Sequence, residues 1–348
     1  MSPVRKVDAP PPRIAVAAAS AALAALVVAL ALSADRPRKL FTPPSAEEAR
    51  RAIGATGDLP AALAGALDPA CDFEPVPLPD PGDWLARHEE RGQTFAEFAR
   101  SRRSGPDARR KVIYLQPLGE FPPESSPSIE TLERFAEAFF SLEVKALEPL
   151  DLAKERITSR EHGRYRQLLT TDILELLERR LPGDACAAVG ITMIDLYPDP
   201  AWNFVFGQAS LRDRVGVFSF ARYLPERGSP DEASKRLLLR RSLRVLAHET
   251  GHMLGIHHCI WYRCLMNGSN HLAESDSQPL HLCPVDLRKL HRSAAFDPLA
   301  RYRRLAKLHE EAENAAEARW LRGRIARIEA LPAGEGGTAS APEAPPKD

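Results

Sequence analysis

Hydrophobic and polar positions change register several times along the chain, and each register predicts an element. The longest apolar run comes first: residues 14–34, IAVAAASAALAALVVALALSA, carry no charge. About 20 apolar residues match the hydrocarbon thickness of a bilayer. Arg5, Lys6 and Arg13 precede the run, and Ala29-Leu30-Ala31 makes a small-residue cleavage site, so a secretory signal fits too. The run's length favours a single-pass membrane anchor over a signal peptide, and either over a buried soluble helix. Basic residues follow as well (Arg36, Arg38, Lys39), so charge asymmetry barely orients it. The expectation is a protein anchored in a membrane or exported.

Residues 35–108 are rich in Pro, Ala and acidic residues. They predict a linker with short helices at 46–53 and 94–101 and an extended stretch from Pro75 to Pro81. A denser pattern starts near Lys111. Residues 111–118 are β-branched and aromatic, as in a strand. In 128–140, Ile129, Leu132, Phe135, Phe139 and Phe140 share one helical face and Ser128 can cap it. Residues 165–180 also fit a helix. Strands are predicted at 187–196, 203–209 and 215–223, separated by Pro198-Asp199-Pro200 and Arg212-Asp213. A long helix then runs to about Leu254, with Ser229 as N-cap, Pro230 in its first position, and Asp231 and Glu232 at its positive end. Residues 293–330 read as charged helix, and the tail from Pro332 lacks a packing face. The predicted organisation is a basic start (1–13), anchor or signal (14–34), linker (35–108), one α/β domain (109–292), charged helical extension (293–331) and tail (332–348).

Charge narrows the partners. The chain has 47 Lys+Arg and 47 Asp+Glu, so it lacks the basic footprint of a nucleic-acid binder, and none is expected. Its basic runs, 102–111 and 235–244, read as solvated faces. Five cysteines are present. Cys71 and Cys186 are isolated and read as buried thiols. Cys259, Cys264 and Cys283 cluster beside a histidine motif, which favours metal ligation over a disulfide framework.

That motif is His248-Glu-Thr-Gly-His252-Met-Leu-Gly255-Ile-His-His258. His248 and His252, four apart on a helix, project from one face and can grip one Zn²⁺. Glu249 falls beside the open coordination position, where it can act as general base toward water. Gly255 can end the helix in a left-handed conformation and let the chain turn, so that His258 becomes the third ligand. His257 is a rival that the spacing disfavours. Two histidines and a glutamate alone are a weak signal; the placed glycine and third histidine sharpen it greatly.

HETGHMLGIHH resembles the metzincin signature, and its continuation resembles the archaemetzincin branch. There the third His is followed directly by Cys, then four residues, Cys, one residue and Met, and later a Cys-x-x-Cys pair. Cys259, Cys264 and Met266 stand in those places, and Cys283-Pro-Val-Asp286 where the pair belongs. VGITMIDLYPDPAWNFVFG and GVFSFARY share the likeness, and DWLARHEERGQTFAEF resembles the upstream region of animal-type members, extending it back to about Leu40.

The resemblance implies an α/β (α+β) fold: a metzincin-like mixed, twisted sheet with helices, the active-site helix below the cleft, and a small C-terminal subdomain. It implies a zinc metallopeptidase acting on peptides or proteins, with Met266 packed beneath the zinc ligands. It implies a second, structural zinc on Cys259, Cys264 and Cys283. The family's fourth thiolate is Asp286 here, a possible oxygen ligand, and His281 is an alternative. A site holding no metal, or a disulfide between two of the cysteines, also stays open. Substrate is expected to lie extended along an edge strand, for which Asn203, Phe204, Val205, Phe206 and Gly207 are the candidates. Two other classes remain: a zinc-stabilised binding module without activity, and a zinc hydrolase of non-peptide amides. Retention of Glu249 argues against the first, since a structural zinc has no use for that carboxylate.

Overall fold

The computed structural model describes residues 41–70, 72–101, 105–223 and 230–331. The apolar run 14–34, Cys71, Ser229 and the tail from 332 lie outside the described residues. Among the described residues no helix is long and apolar enough to cross a membrane.

Among the described residues eight strands form two sheets: β1 (Val112–Leu118), β2 (Val144–Ala146), β3 (Ser159–His162), β4 (Tyr165–Leu169), β5 (Ala185–Thr192), β6 (Asp195–Tyr197), β7 (Gly207–Ser210) and β8 (Val215–Ser219). The main sheet has the order β2-β1-β5-β8-β7, and a smaller one β3-β4-β6. In the main sheet only β7 runs antiparallel to its neighbour. Every residue of β1, β5 and β8 is buried, as parallel strands covered on both faces require.

Alternation along β1 assigns the two faces. Ile113 and Leu115 join a core with Leu132, Phe135 and Phe139 of helix Ile129–Phe140 and with Leu243 and Leu246 of helix Glu232–Met253. Val112, Tyr114 and Leu118 pack on the other side with Ile173 and Leu177 of helix Thr170–Arg179. The fold is therefore a mixed α/β sandwich with helices on both sheet faces.

Several local expectations change. Residues 165–169 form β4, and the helix begins only at Thr170. Tertiary pairing overrides the helical pattern: β4 pairs with both β3 and β6, and Gln167 is buried against Asp195 at 2.7 Å. The strand read at 187–196 divides into β5 and β6. The long helix is capped by Asp231, whose side chain accepts from Ser234 N, and it ends at Met253. The charged extension is two helices, Pro298–Glu311 and Ala315–Glu329, broken where Glu313 takes φ 52°. Helix Pro284–Ala294 precedes them.

The region read as a linker packs into the core. Ala49, Ile53, Leu63, Leu67 and Phe98 are all buried there. The wholly buried Arg324 fastens it to the C-terminal helix, donating to Asp72 at 2.6 Å and to Gly65 O at 2.8 Å. The upstream segment and the last helix are thus fastened directly to each other.

Candidate metal centre

Helix Glu232–Met253 delivers His248, Glu249 and His252 in its last two turns. Gly255 takes φ 86°, and two bonds close the helix end: Gly255 N donates to His252 O at 2.8 Å and Ile256 N to Gly251 O at 3.1 Å. That is a Schellman termination, which needs a left-handed residue. The chain reverses, and His258 returns to the other two imidazoles. Ring centroids lie 4.6 Å apart for His248–His252, 5.3 Å for His248–His258 and 4.8 Å for His252–His258. His257 is exposed, and its backbone N–H donates to Gln93.

Each imidazole is oriented through Nδ1. His248 Nδ1 meets Leu265 O at 2.9 Å, His252 Nδ1 meets Ile256 O at 2.6 Å, and His258 Nδ1 meets Glu90 Oε1 at 2.8 Å. With Nδ1 as donor, each Nε2 keeps its lone pair. The Nε2 atoms of His248 and His252 face each other at 3.0 Å. One ligand nitrogen from each of the three rings lies within 4.8 Å of the others. Facing lone pairs repel unless a cation lies between them. Burial, then the neighbouring imidazoles, push His248 well below its ordinary pKa and draw His252 down to about 4. Both are neutral at physiological pH, the state that binds metal. Three imidazole nitrogens at this spacing fit Zn²⁺.

Glu249 lines the same cleft, a cavity of ≈ 380 Å³, and burial there pushes its carboxyl up to about 7. Met266 is fully buried under the helix: a Cβ at Gly251 would come within 2.8 Å of its Sδ. Gly251, inside the histidine motif, leaves the space this methionine fills.

A second cluster adjoins the first, since Cys259 follows His258 directly. Cys259, Cys264, Cys283 and Asp286 are all buried with ligand atoms within 4.8 Å of one another. Cys259 and Cys283 sulfurs are 3.5 Å apart, and the thiols of Cys264 and Cys283 lie 3.2 and 3.6 Å from Asp286 Oδ2. Cys186, Cys259, Cys264 and Cys283 are free thiols, so no disulfide joins them. Asp286 Oδ1 pairs with Lys289 Nζ at 2.8 Å, both side chains fully buried. His281 is elsewhere: its Nδ1 meets Glu317 at 2.9 Å and its ring stacks on Trp320, so it is not the fourth donor. Three sulfurs and a carboxylate oxygen make a donor set zinc accepts.

Comparison with known proteins gives this geometry a family. The model for Peptidase family M54 matches residues 181–292. Archaemetzincin-2 of Rattus norvegicus is 42% identical over 266 residues, spanning 68% of this chain and 74% of that protein. Archaemetzincin-2 of Homo sapiens is 40% identical over 274 residues, spanning 70% and 76%. The chain belongs to the archaemetzincin family. A crystal structure of an archaemetzincin from Methanopyrus kandleri is 29% identical and covers 55% of this chain and 99% of that one, with a TM-score of 0.42. As an archaemetzincin the protein is a zinc metallopeptidase.

The archaemetzincin cleft departs from sequence expectation at its edge. The edge strand is β7, which takes only Gly207 from the expected set. Residues 203–206 are already engaged: Asn203 O accepts from Gln167 at 2.8 Å, Val205 N donates to Leu196 O, and Phe206 O accepts from Ser219 N. Phe204 packs edge-on against Phe206 and under the Arg222 guanidinium. Backbone committed to β6 and β8 is not free to pair with a substrate.

Sequence reasoning missed Glu90 and Trp84. Trp84 Nε1 donates to Glu90 Oε1 at 3.0 Å, and its ring sits edge-on to His258 at 5.0 Å. Burial raises the Glu90 carboxyl, but hydrogen bonds from His258 and Trp84 outweigh it and hold the group below its ordinary range. The available signal was the family-like upstream stretch that contains both residues.

Proposed function

We propose that this archaemetzincin hydrolyses peptide bonds at the His248–His252–His258 centre, with Glu249 as general base. The observation that carries this reading is the convergence of three Nε2 atoms whose Nδ1 atoms are all occupied, beside a buried carboxyl. Zinc bound there supplies a Lewis acid for the scissile carbonyl and brings the pKa of water toward neutrality. Glu249 takes the proton of the attacking water and passes it to the departing amine. A carboxyl near neutrality is well matched to both transfers. The free edge of β7 offers backbone groups to an extended peptide, as in strand addition.

We further propose that Cys259, Cys264, Cys283 and Asp286 Oδ2 hold a second, structural zinc. Its role is to fix the loop that carries His258, and Lys289 offsets part of the ligands' negative charge.

Metal analysis and turnover of two variants test both proposals. Glu249→Gln keeps all its zinc and loses turnover of a peptide mixture. His258→Ala binds one equivalent fewer than the unsubstituted chain, which binds two. Peptide cleavage surviving in Glu249→Gln at more than a few per cent would remove the general-base role. A total of one equivalent in the unsubstituted chain would remove the second zinc.

A further inference from the structure

We propose that Arg244 selects peptides bearing a carboxylate beside the scissile bond, from an Asp or Glu side chain or from the free C-terminus of a short substrate. The inference rests on the peptidase reading above and adds a substrate class to it.

Arg244 precedes His248 by four residues, about 6 Å of helix rise, and so shares its face. Both line the cleft. Arg244 is only 5% exposed. A guanidinium offers five N–H donors. Nη1 gives one to Gln278 Oε1 at 3.2 Å, and Nη2 gives two, to the carbonyls of Gln278 and Pro279. The buried Nε has no partner. All three acceptors are neutral amides.

No carboxylate pairs with Arg244 among the described residues. Glu317 and Asp276 act on it only through space: Glu317 accepts from His281 Nδ1 and Leu280 N, and Asp276 is taken by Arg241 at 3.0 and 2.6 Å and approached by Arg240 at 3.9 Å. Glu249, the one carboxylate lining the cavity among the described residues, forms no ion pair with it. Burial draws Arg244 down to about 10, which still leaves it cationic at neutral pH. A buried cation with no directly paired carboxylate is costly, and a carboxylate entering the cleft relieves that cost. Charge-assisted hydrogen bonds are roughly twice as strong as neutral ones. Phe206, Tyr223 and Val245 line the same cavity and would shield the pair from water.

The test uses the zinc-loaded full chain and matched peptides. One set places Glu or Gln at each position flanking the cleaved bond. A second set ends in a free carboxylate or an amide. At one position the acid is expected to exceed its amide twin about 10-fold or more in kcat/KM. That ratio falls toward one in Arg244→Gln and is partly kept in Arg244→Lys. The responding set tells side chain from terminus. Equal cleavage of every matched pair by the unsubstituted protein overturns the proposal, whether or not the variants fold. So does an acid preference that survives in folded Arg244→Gln. If no peptide is cleaved, the peptidase reading fails, and binding of the same pairs to the zinc-loaded protein decides. Acid binding 10-fold tighter than amide supports Arg244 as the carboxylate site, and equal binding sinks it.

Discussion

Glu90 Oε1 lies 2.8 Å from His258 Nδ1, although 168 positions separate the two residues in sequence. The third imidazole thus takes its orientation from a segment that sequence pattern reads as linker. Truncating this carboxylate frees the ring to rotate. Glu90→Ala is expected to weaken zinc binding about 10–100-fold, as loss of an outer-shell partner does elsewhere. Competition with a chelator of known affinity measures this. Unchanged zinc affinity would mean that the helix end alone orients His258.

Gly251 and Met266 make a paired test of packing under the centre. Gly251→Ala gains up to about 1 kcal/mol of helix propensity. It also forces a Cβ to 2.8 Å from a fully buried sulfur. Overpacking of that kind costs about 1–3 kcal/mol, so the net effect is destabilising. In a Met266→Ala background the clash is gone and the sign should reverse. Denaturant unfolding of the four proteins gives the coupling; additive effects would show that the two residues do not meet.

Lys289 and Asp286 form an ion pair with no exposed surface on either side chain. Lys289→Met leaves the carboxylate buried without its counter-charge. Breaking such a pair costs about 3–5 kcal/mol. The loss should be full in chelator-treated protein and smaller in zinc-loaded protein, where the metal neutralises Asp286. Equal losses in both forms would argue against metal on Asp286.

Glu317 ties helix Ala315–Glu329 to the loop before Cys283, accepting from His281 Nδ1 and Leu280 N. Burial raises its carboxyl, but the His281 charge and hydrogen bond and the Leu280 N–H outweigh that and draw it to about 2. A carboxyl depressed on folding binds fewer protons in the native state. Its stabilisation is therefore present above about pH 4.5 and is lost as pH falls through 2. The margin of the metal-free parent over Glu317→Gln, about 3 kcal/mol at neutral pH by this linkage, should shrink steadily below pH 4.5. A margin independent of pH would mean that Glu317 is not ionised in the fold.

How much of this could be read in advance follows from the range of each interaction. His248, Glu249, His252, Gly255 and His258 lie within eleven residues, and helix periodicity plus one glycine suffices to bring them together. Asp286 could be named only through the family resemblance, because it stands where the second cysteine of the Cys-x-x-Cys pair belongs. Glu90, Trp84 and Arg244 acquire their roles from partners 34 to 174 positions away, which no local pattern encodes. The helix misread at 165–169 has the same origin. Tyr165 to Leu169 run without a break into an amphipathic helix, and only pairing with β3 and β6 makes them a strand. The early start given to the edge strand reflects the apolar, aromatic 204–206, which pack inward beside β7 and not along its free edge.

One peptide bond joins His258 to Cys259, so a single backbone link belongs to both donor clusters. Neither can swing away without dragging the other, and this side of the groove behaves as an anvil. A long chain entering the cleft also meets Phe206 and Tyr223, which line it and stack at 5.8 Å.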